Sequence, residues 1–146
     1  MRRKILILVG AVVVILIAIQ LVPVDRTNPP VVADFDGPAQ VRAVIKTSCY
    51  DCHSHETTWP LYSRVAPVSW LVAHDVEEGR GLLNFSLWGT YDPARQAKLA
   101  KKIWEEVDDG EMPLLMYRLA HKEARLTEAG KSTLHDWSLA AHRSQD

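Results

Sequence analysis

The first 22 residues constrain this chain more than anything else in it. Ile5 to Val22 carry no charge, are interrupted only by Gly10 and Gln20, and follow the basic cluster Arg2-Arg3-Lys4. At ~1.5 Å per residue such a run makes a helix of about 27 Å, the core thickness of a thin bilayer. The basic cluster favours the cytoplasmic side, which sends everything after Val22 across the membrane. A cleaved signal peptide is the competing reading. Cleavage needs small residues just past the span, and Gln20-Leu21-Val22-Pro23-Val24-Asp25 offers none. The first suitable site, Val31-Val32-Ala33, lies beyond Pro23 and the Pro29-Pro30 pair. A retained anchor over residues 1–22 is therefore expected. Both readings put the remainder outside the cytoplasm.

That remainder is long enough for one domain. Without Arg2, Arg3 and Lys4 the 17 basic side chains fall to 14 against 18 acidic ones, a formal charge of −4 with His neutral. A mildly acidic domain without a basic stripe is a poor match for phosphate backbones, so nucleic acid is excluded as a partner. Residues 23–36, with Pro23, Pro29, Pro30 and the polar run Asp25 to Asn28, read as a linker, and 37–146 as the domain. Asp36-Gly37-Pro38 starts a helix carrying Val41, Val44, Ile45 and Ser48 into Cys49. A second helix begins at Pro67, carries Val68, Leu71, Val72 and Val76, and is expected to stop at Gly79. A third has Asp92 as cap and Pro93 in its first turn. Its stripe is Ala97, Ala100, Trp104 and Val107, and Gly110 ends it. A fourth covers Thr127 to His142, with Leu134, Trp137 and Ala141 on one side. Nothing of useful length alternates with period two, so the fold class is all-α.

The only cysteines are Cys49 and Cys52, in Cys49-Tyr50-Asp51-Cys52-His53-Ser54-His55. Three chemistries use such a pair. A thiol–disulfide couple suits an oxidising compartment, but it normally follows a strand, and none is expected. A zinc site from Cys49, Cys52, His53 and His55 would close poorly, because zinc's second ligand pair usually comes from a distant segment. Cys-x-x-Cys-His is also the attachment motif of c-type haem. On a helix, positions i, i+3 and i+4 share a face. Cys49 and Cys52 can thus reach two vinyl carbons on one porphyrin edge while His53 faces the iron. Covalent haem is the reading taken.

The sequence also resembles a family of small bacterial haem-binding domains, often anchored by one amino-terminal helix. Matching stretches, spread from about Val41 to Trp137, include Cys49 to Ser54, Trp59-Pro60-Leu61-Tyr62-Ser63 and Ala66-Pro67-Val68-Ser69-Trp70. Others are Glu78-Gly79-Arg80, Leu83 to Trp88, and Met112-Pro113 with Tyr117, His121, Ala124 and Leu126. The family pattern in the second helix is Asp-His-Val, whereas this chain has His74-Asp75-Val76, which turns the histidine about 100° around the helix. The resemblance implies haem binding and electron transfer by a cytochrome c-like helical domain on the periplasmic side of a bacterial inner membrane.

Met112 is the expected distal iron ligand, because Pro113 fixes the backbone after it and Gly110-Glu111 places it on a loop. His121, Met116, His74 and an open site are the alternatives; Met112 filling a core gap is the plain structural one. The N–H of His53 should meet a carbonyl near Pro60 or Pro67. Arg64 and Arg80 are candidate ion-pair partners of the haem propionates, and Asn84, Tyr62 or Trp59 candidate hydrogen-bond partners of the same groups. Trp70, Trp88 and Phe85 should pack against the porphyrin or each other. Met/His ligation with one haem c leaves no substrate position on the iron. The expected function is therefore single-electron transfer to redox partner proteins rather than catalysis. A haem-based sensor or enzyme with an open distal site is the alternative.

Overall fold

Apolar spacing and turn residues divide the chain into helices joined by short loops and 3₁₀ turns. The computed structural model describes residues 1–143. Its helices are α1 (Arg2–Ala18), α2 (Ala39–Ser48), α3 (Tyr50–His53), α4 (Val68–Leu82), α5 (Pro93–Asp108), α6 (Leu115–Ala120) and α7 (Glu128–Arg143). No strand occurs among the described residues, so the all-α expectation holds.

Helix α1 continues through a 3₁₀ turn at Ile19–Leu21, and the combined Arg2–Leu21 segment is long and apolar enough to cross a membrane. None of its α-helical residues is buried by the rest of the chain.

The core gathers Phe35, Val41, Ile45, Tyr50, Leu83, Phe85, Trp88, Val107 and Leu134. Its centre is aromatic: Phe35 sits edge-on to Phe85, Trp88 and Trp137, and Tyr50 stacks on Phe85. Helices α5 and α7 pack side by side. Asp92 caps α5 by accepting from Arg95 N at 2.9 Å, as its place before Pro93 predicts. Gly110 ends the helix at φ +80°, a left-handed conformation that glycine adopts without steric cost. Thr127 Oγ1 accepts from Gly130 N where α7 begins.

Three expectations change here. Gly79 does not stop α4, which runs on to Leu82, and lies buried inside the helix. Pro38, not Asp36, is the residue before α2. The larger change concerns residues 23–36, which are not a free linker. Phe35 is 0% exposed and belongs to the core. Val32 N and Ala33 N both donate to Ser86 O, and Ala33 O accepts from Gly89 N. The proline-rich segment is strapped onto the domain, whose core therefore begins before residue 37.

Candidate functional site

The haem motif is divided between two helices. Cys49 lies at the junction, with φ −127° and ψ −29°, so α2 ends and the single turn α3 begins there. Both Cys52 N and His53 N donate to Cys49 O, at 3.2 and 2.9 Å. The i, i+3 and i+4 relation that the motif needs thus survives the break. Ser54 Oγ closes the turn by donating to Tyr50 O at 2.8 Å.

The motif opens onto a cavity of about 340 Å³, within the ~300–1,000 Å³ usual for cofactor and ligand sites. One wall carries Cys49, Cys52 and His53, and the same cavity is lined by Met112, Pro113 and Leu114. Leu82, Leu83, Phe85, Leu99, Ile103 and Val107 make it apolar. Asp75, Glu78, Lys102 and Glu106 also line it, all at least partly exposed, and Lys102 Nζ pairs with Glu106 at 2.7 Å.

His53 is fixed from the far side. Its Nδ1 lies 2.9 Å from Gly79 O, which also accepts from Leu83 N in the last turn of α4, and 3.2 Å from Leu83 O just past the helix. Both are acceptors, so Nδ1 carries the proton and Nε2 keeps its lone pair. Burial holds the imidazole pKa below its ordinary value, against the opposing pull of the two carbonyls. The expected carbonyl near Pro60 or Pro67 is replaced by this pair. The cysteines are free, and burial pushes each thiol up to about 12, so both are neutral thiols.

Gly79 is what lets α4 come this close. A Cβ on it would lie 2.7 Å from Cys52 O and 3.1 Å from Cys52 C. The helix crosses the motif backbone to backbone, and its carbonyl then reaches the His53 ring.

The Met112 loop is held to the same unit. Met112 N donates to Glu106 O at 3.0 Å, folding the loop back over the end of α5. Beyond it, Tyr117 on α6 lines the cavity and donates its hydroxyl to Asp51 Oδ2 at 2.7 Å. Asp51 Oδ1 accepts from Thr58 N. One carboxylate inside the motif thus ties the loop after the motif to the segment carrying Met112.

The other expected site residues lie elsewhere. Arg80 does not line the cavity. Its guanidinium donates to Ser54 O, Thr27 O, Asn28 Oδ1 and Thr57 Oγ1 at 2.8–3.0 Å, clamping the strapped segment to the motif. Asn84 caps a 3₁₀ turn by accepting from Ser86 N and donates to His55 Nε2. His55 Nδ1 in turn donates to Pro30 O, so both its nitrogens are engaged outside the cavity and it is no partner for a metal beside the cysteines. Arg64 is exposed on the turn Leu61–Arg64, away from the cavity lining. His121 stacks on Tyr117 and uses its nitrogens on Tyr62 and Glu123, so it is not poised as a distal ligand. His74 faces out toward Glu78, whereas Asp75 faces the cavity, the rotation expected from the exchanged order. Met116, an alternative distal ligand by sequence, is exposed and does not line the cavity, and Trp70 is exposed rather than joined to Trp88 and Phe85.

A small helical domain with two thiols, an imidazole and a thioether around one apolar cavity is a prosthetic-group module. Residues 14–140 match the haem-binding domain family, and the chain belongs to that family. No curated protein and no solved structure matches the chain.

Proposed function

We propose that this haem-binding domain is a membrane-tethered, cytochrome c-like carrier of single electrons. One observation supports it most: Cys49, Cys52, His53 and Met112, separated by up to 63 positions in sequence, line a single apolar cavity. That donor set suits one haem. The two thiols would hold it through thioethers, each made by adding S–H across a vinyl double bond with no oxidant. His53 Nε2 and the Met112 sulfur would hold its iron. Bound there, the iron supplies a one-electron couple.

The chain's own groups do the rest. The N–H bonds from His53 to Gly79 and Leu83 fix the ring and strengthen it as a donor. The apolar walls keep water away, and a thioether in place of a second imidazole raises the potential. With His53 and Met112 both on the iron, no place would remain there for a substrate, which separates this reading from a sensor or enzyme. The Arg2–Leu21 helix would be the tether, with Arg2-Arg3-Lys4 cytoplasmic and the domain periplasmic, where it meets redox partner proteins.

The test is direct. Haem should stay with the polypeptide through acid–acetone extraction and denaturing electrophoresis, and the reduced native protein should not take up carbon monoxide. Release of haem sinks the covalent assignment. Ready carbon monoxide binding sinks the electron-carrier reading in favour of an open distal site.

A further inference from the structure

We propose that Leu61–Leu71 is a second, shallow membrane contact, resting at the boundary between lipid headgroups and acyl chains beside the exit of α1. The proposal rests on the reading of Arg2–Leu21 as a membrane span. Gln20, at the end of that segment, donates Nε2–H to Ala66 O at 3.1 Å and accepts from Ala66 N at 2.9 Å. Arg26 Nη1 adds a bond to Ser63 O at 3.4 Å. A span ending at Leu21 puts Gln20 at the lipid–water boundary. Ala66, paired with it on both backbone groups, lies at the same depth.

The surface around Ala66 has the chemistry of that boundary. Leu61 is 84% exposed, Val65 56%, Leu71 54% and Val68 44%. Tyr62 and Trp70 are exposed among them, and these are the aromatic types enriched at membrane interfaces. The core does not account for these residues, because α4 buries Ser69, Val76 and Gly79 and turns Val68 and Leu71 away. Residues 57–73 contain one charged side chain, the exposed Arg64, and no carboxylate. An apolar, aromatic surface with one cation suits anionic phospholipid better than an acidic surface would. The exposed apolar residues of α6, Leu115, Met116 and Leu119, have no such bond to the span, and nothing indicates what covers them.

The experiment uses the full haem-loaded chain in vesicles of phosphatidylethanolamine and phosphatidylglycerol. The vesicles carry a phospholipid with a diazirine near the top of its acyl chain. After illumination, lipid adducts are mapped by mass spectrometry. Adducts are expected on residues 61–71 as well as on the span. Replacing Leu61, Val65 and Leu71 together by serine should lower the 61–71 yield several-fold, with span yield and haem spectrum unchanged. Adducts confined to the span overturn the proposal. In a second sample with photo-leucine incorporated in the chain, cross-links joining residues 61–71 of two chains also overturn it, by making the surface an interface between copies. A chain with no adducts on the span loses the anchor reading, and this proposal with it.

Discussion

Replacing Gly79 by alanine drives a methyl group into the backbone of the haem motif. The new Cβ would stand 2.7 Å from the Cys52 carbonyl oxygen, where ordinary contact begins near 3.4 Å. The opposing atoms are backbone, so no rotamer change relieves the clash, and α4 must retreat from α3 by about 0.7 Å, the difference between those values. A retreat along the His53 Nδ1···Gly79 O bond would stretch it from 2.9 Å to about 3.6 Å, beyond hydrogen-bonding range. Overpacking of this kind costs about 1–3 kcal/mol, and the weakened hydrogen bond about 1 kcal/mol more. Alanine recovers about 1 kcal/mol of helix propensity over glycine. The net loss is about 1–3 kcal/mol, or a fall of roughly 5–15 °C in Tm for a domain of this size. Gly81 is the internal control. It lies in the same helix with open space where its Cβ would go, so Gly81→Ala should stabilise by about 0.5–1 kcal/mol. Thermal melts of both haem-loaded variants in detergent, followed by circular dichroism, measure the difference. A redox titration adds a second readout, because a less firmly hydrogen-bonded imidazole is a weaker donor and should raise the potential. A Gly79→Ala protein that melts with or above Gly81→Ala would refute the close-crossing argument.

Met112→Ala should abolish the far-red charge-transfer band of His/Met haem, lower the potential and admit carbon monoxide. It should also destabilise the domain beyond the ~2–5 kcal/mol of a simple cavity; absorbance spectra of Met116→Ala and His121→Ala should keep the band. Phe35→Ala should cost about 3–5 kcal/mol, since the ring is wholly buried among Phe85, Trp88 and Trp137, and denaturant melts measure it. A chain begun at Gly37 should accordingly fail to fold by circular dichroism. Tyr117→Phe should cost about 1–3 kcal/mol by removing the bond to the Asp51 carboxylate. Its thermal melt should fall while the attached haem is retained on a denaturing gel.

The sequence is legible where the physics is local. The uncharged run before Val22, the Asp92-Pro93 start and the Gly110 stop each depend on neighbours a few residues away, and the helices lie where those signals put them. The Cys49–His53 spacing belongs to the same kind. Errors fell where distant segments decide the outcome. Gly79 looks like a helix stop in one dimension; its actual task depends on Cys52, 27 positions earlier, lying across it. Arg80 suggests a propionate contact by sequence, yet its four acceptors come from Thr27, Asn28, Ser54 and Thr57, and no spacing rule brings these together. The stretch 23–36 looked solvated because prolines and polar residues dominate it, and Phe35 alone signalled that its end is core. Val68 and Leu71 match a buried helical stripe by spacing, but α4 turns its small residues inward and leaves these outside.

The strapped segment also limits where the domain can go. With α1 as the proposed anchor and residues 23–36 a free coil, the domain would wander over about 20 Å from the membrane, the scale of a flexible chain of that length. Bonds from Gln20 to Ala66, Arg26 to Ser63, and Arg80 to Thr27 and Asn28 leave only Leu21 to Asp25 between fixed points, at most about 18 Å when fully drawn out. On the proposed reading of α1 as a membrane tether, a domain on so short a leash would not swing out to meet a distant partner. Its encounters would be those of two bodies drifting in one plane, with rates set by lateral diffusion and surface density rather than by concentration in the surrounding fluid.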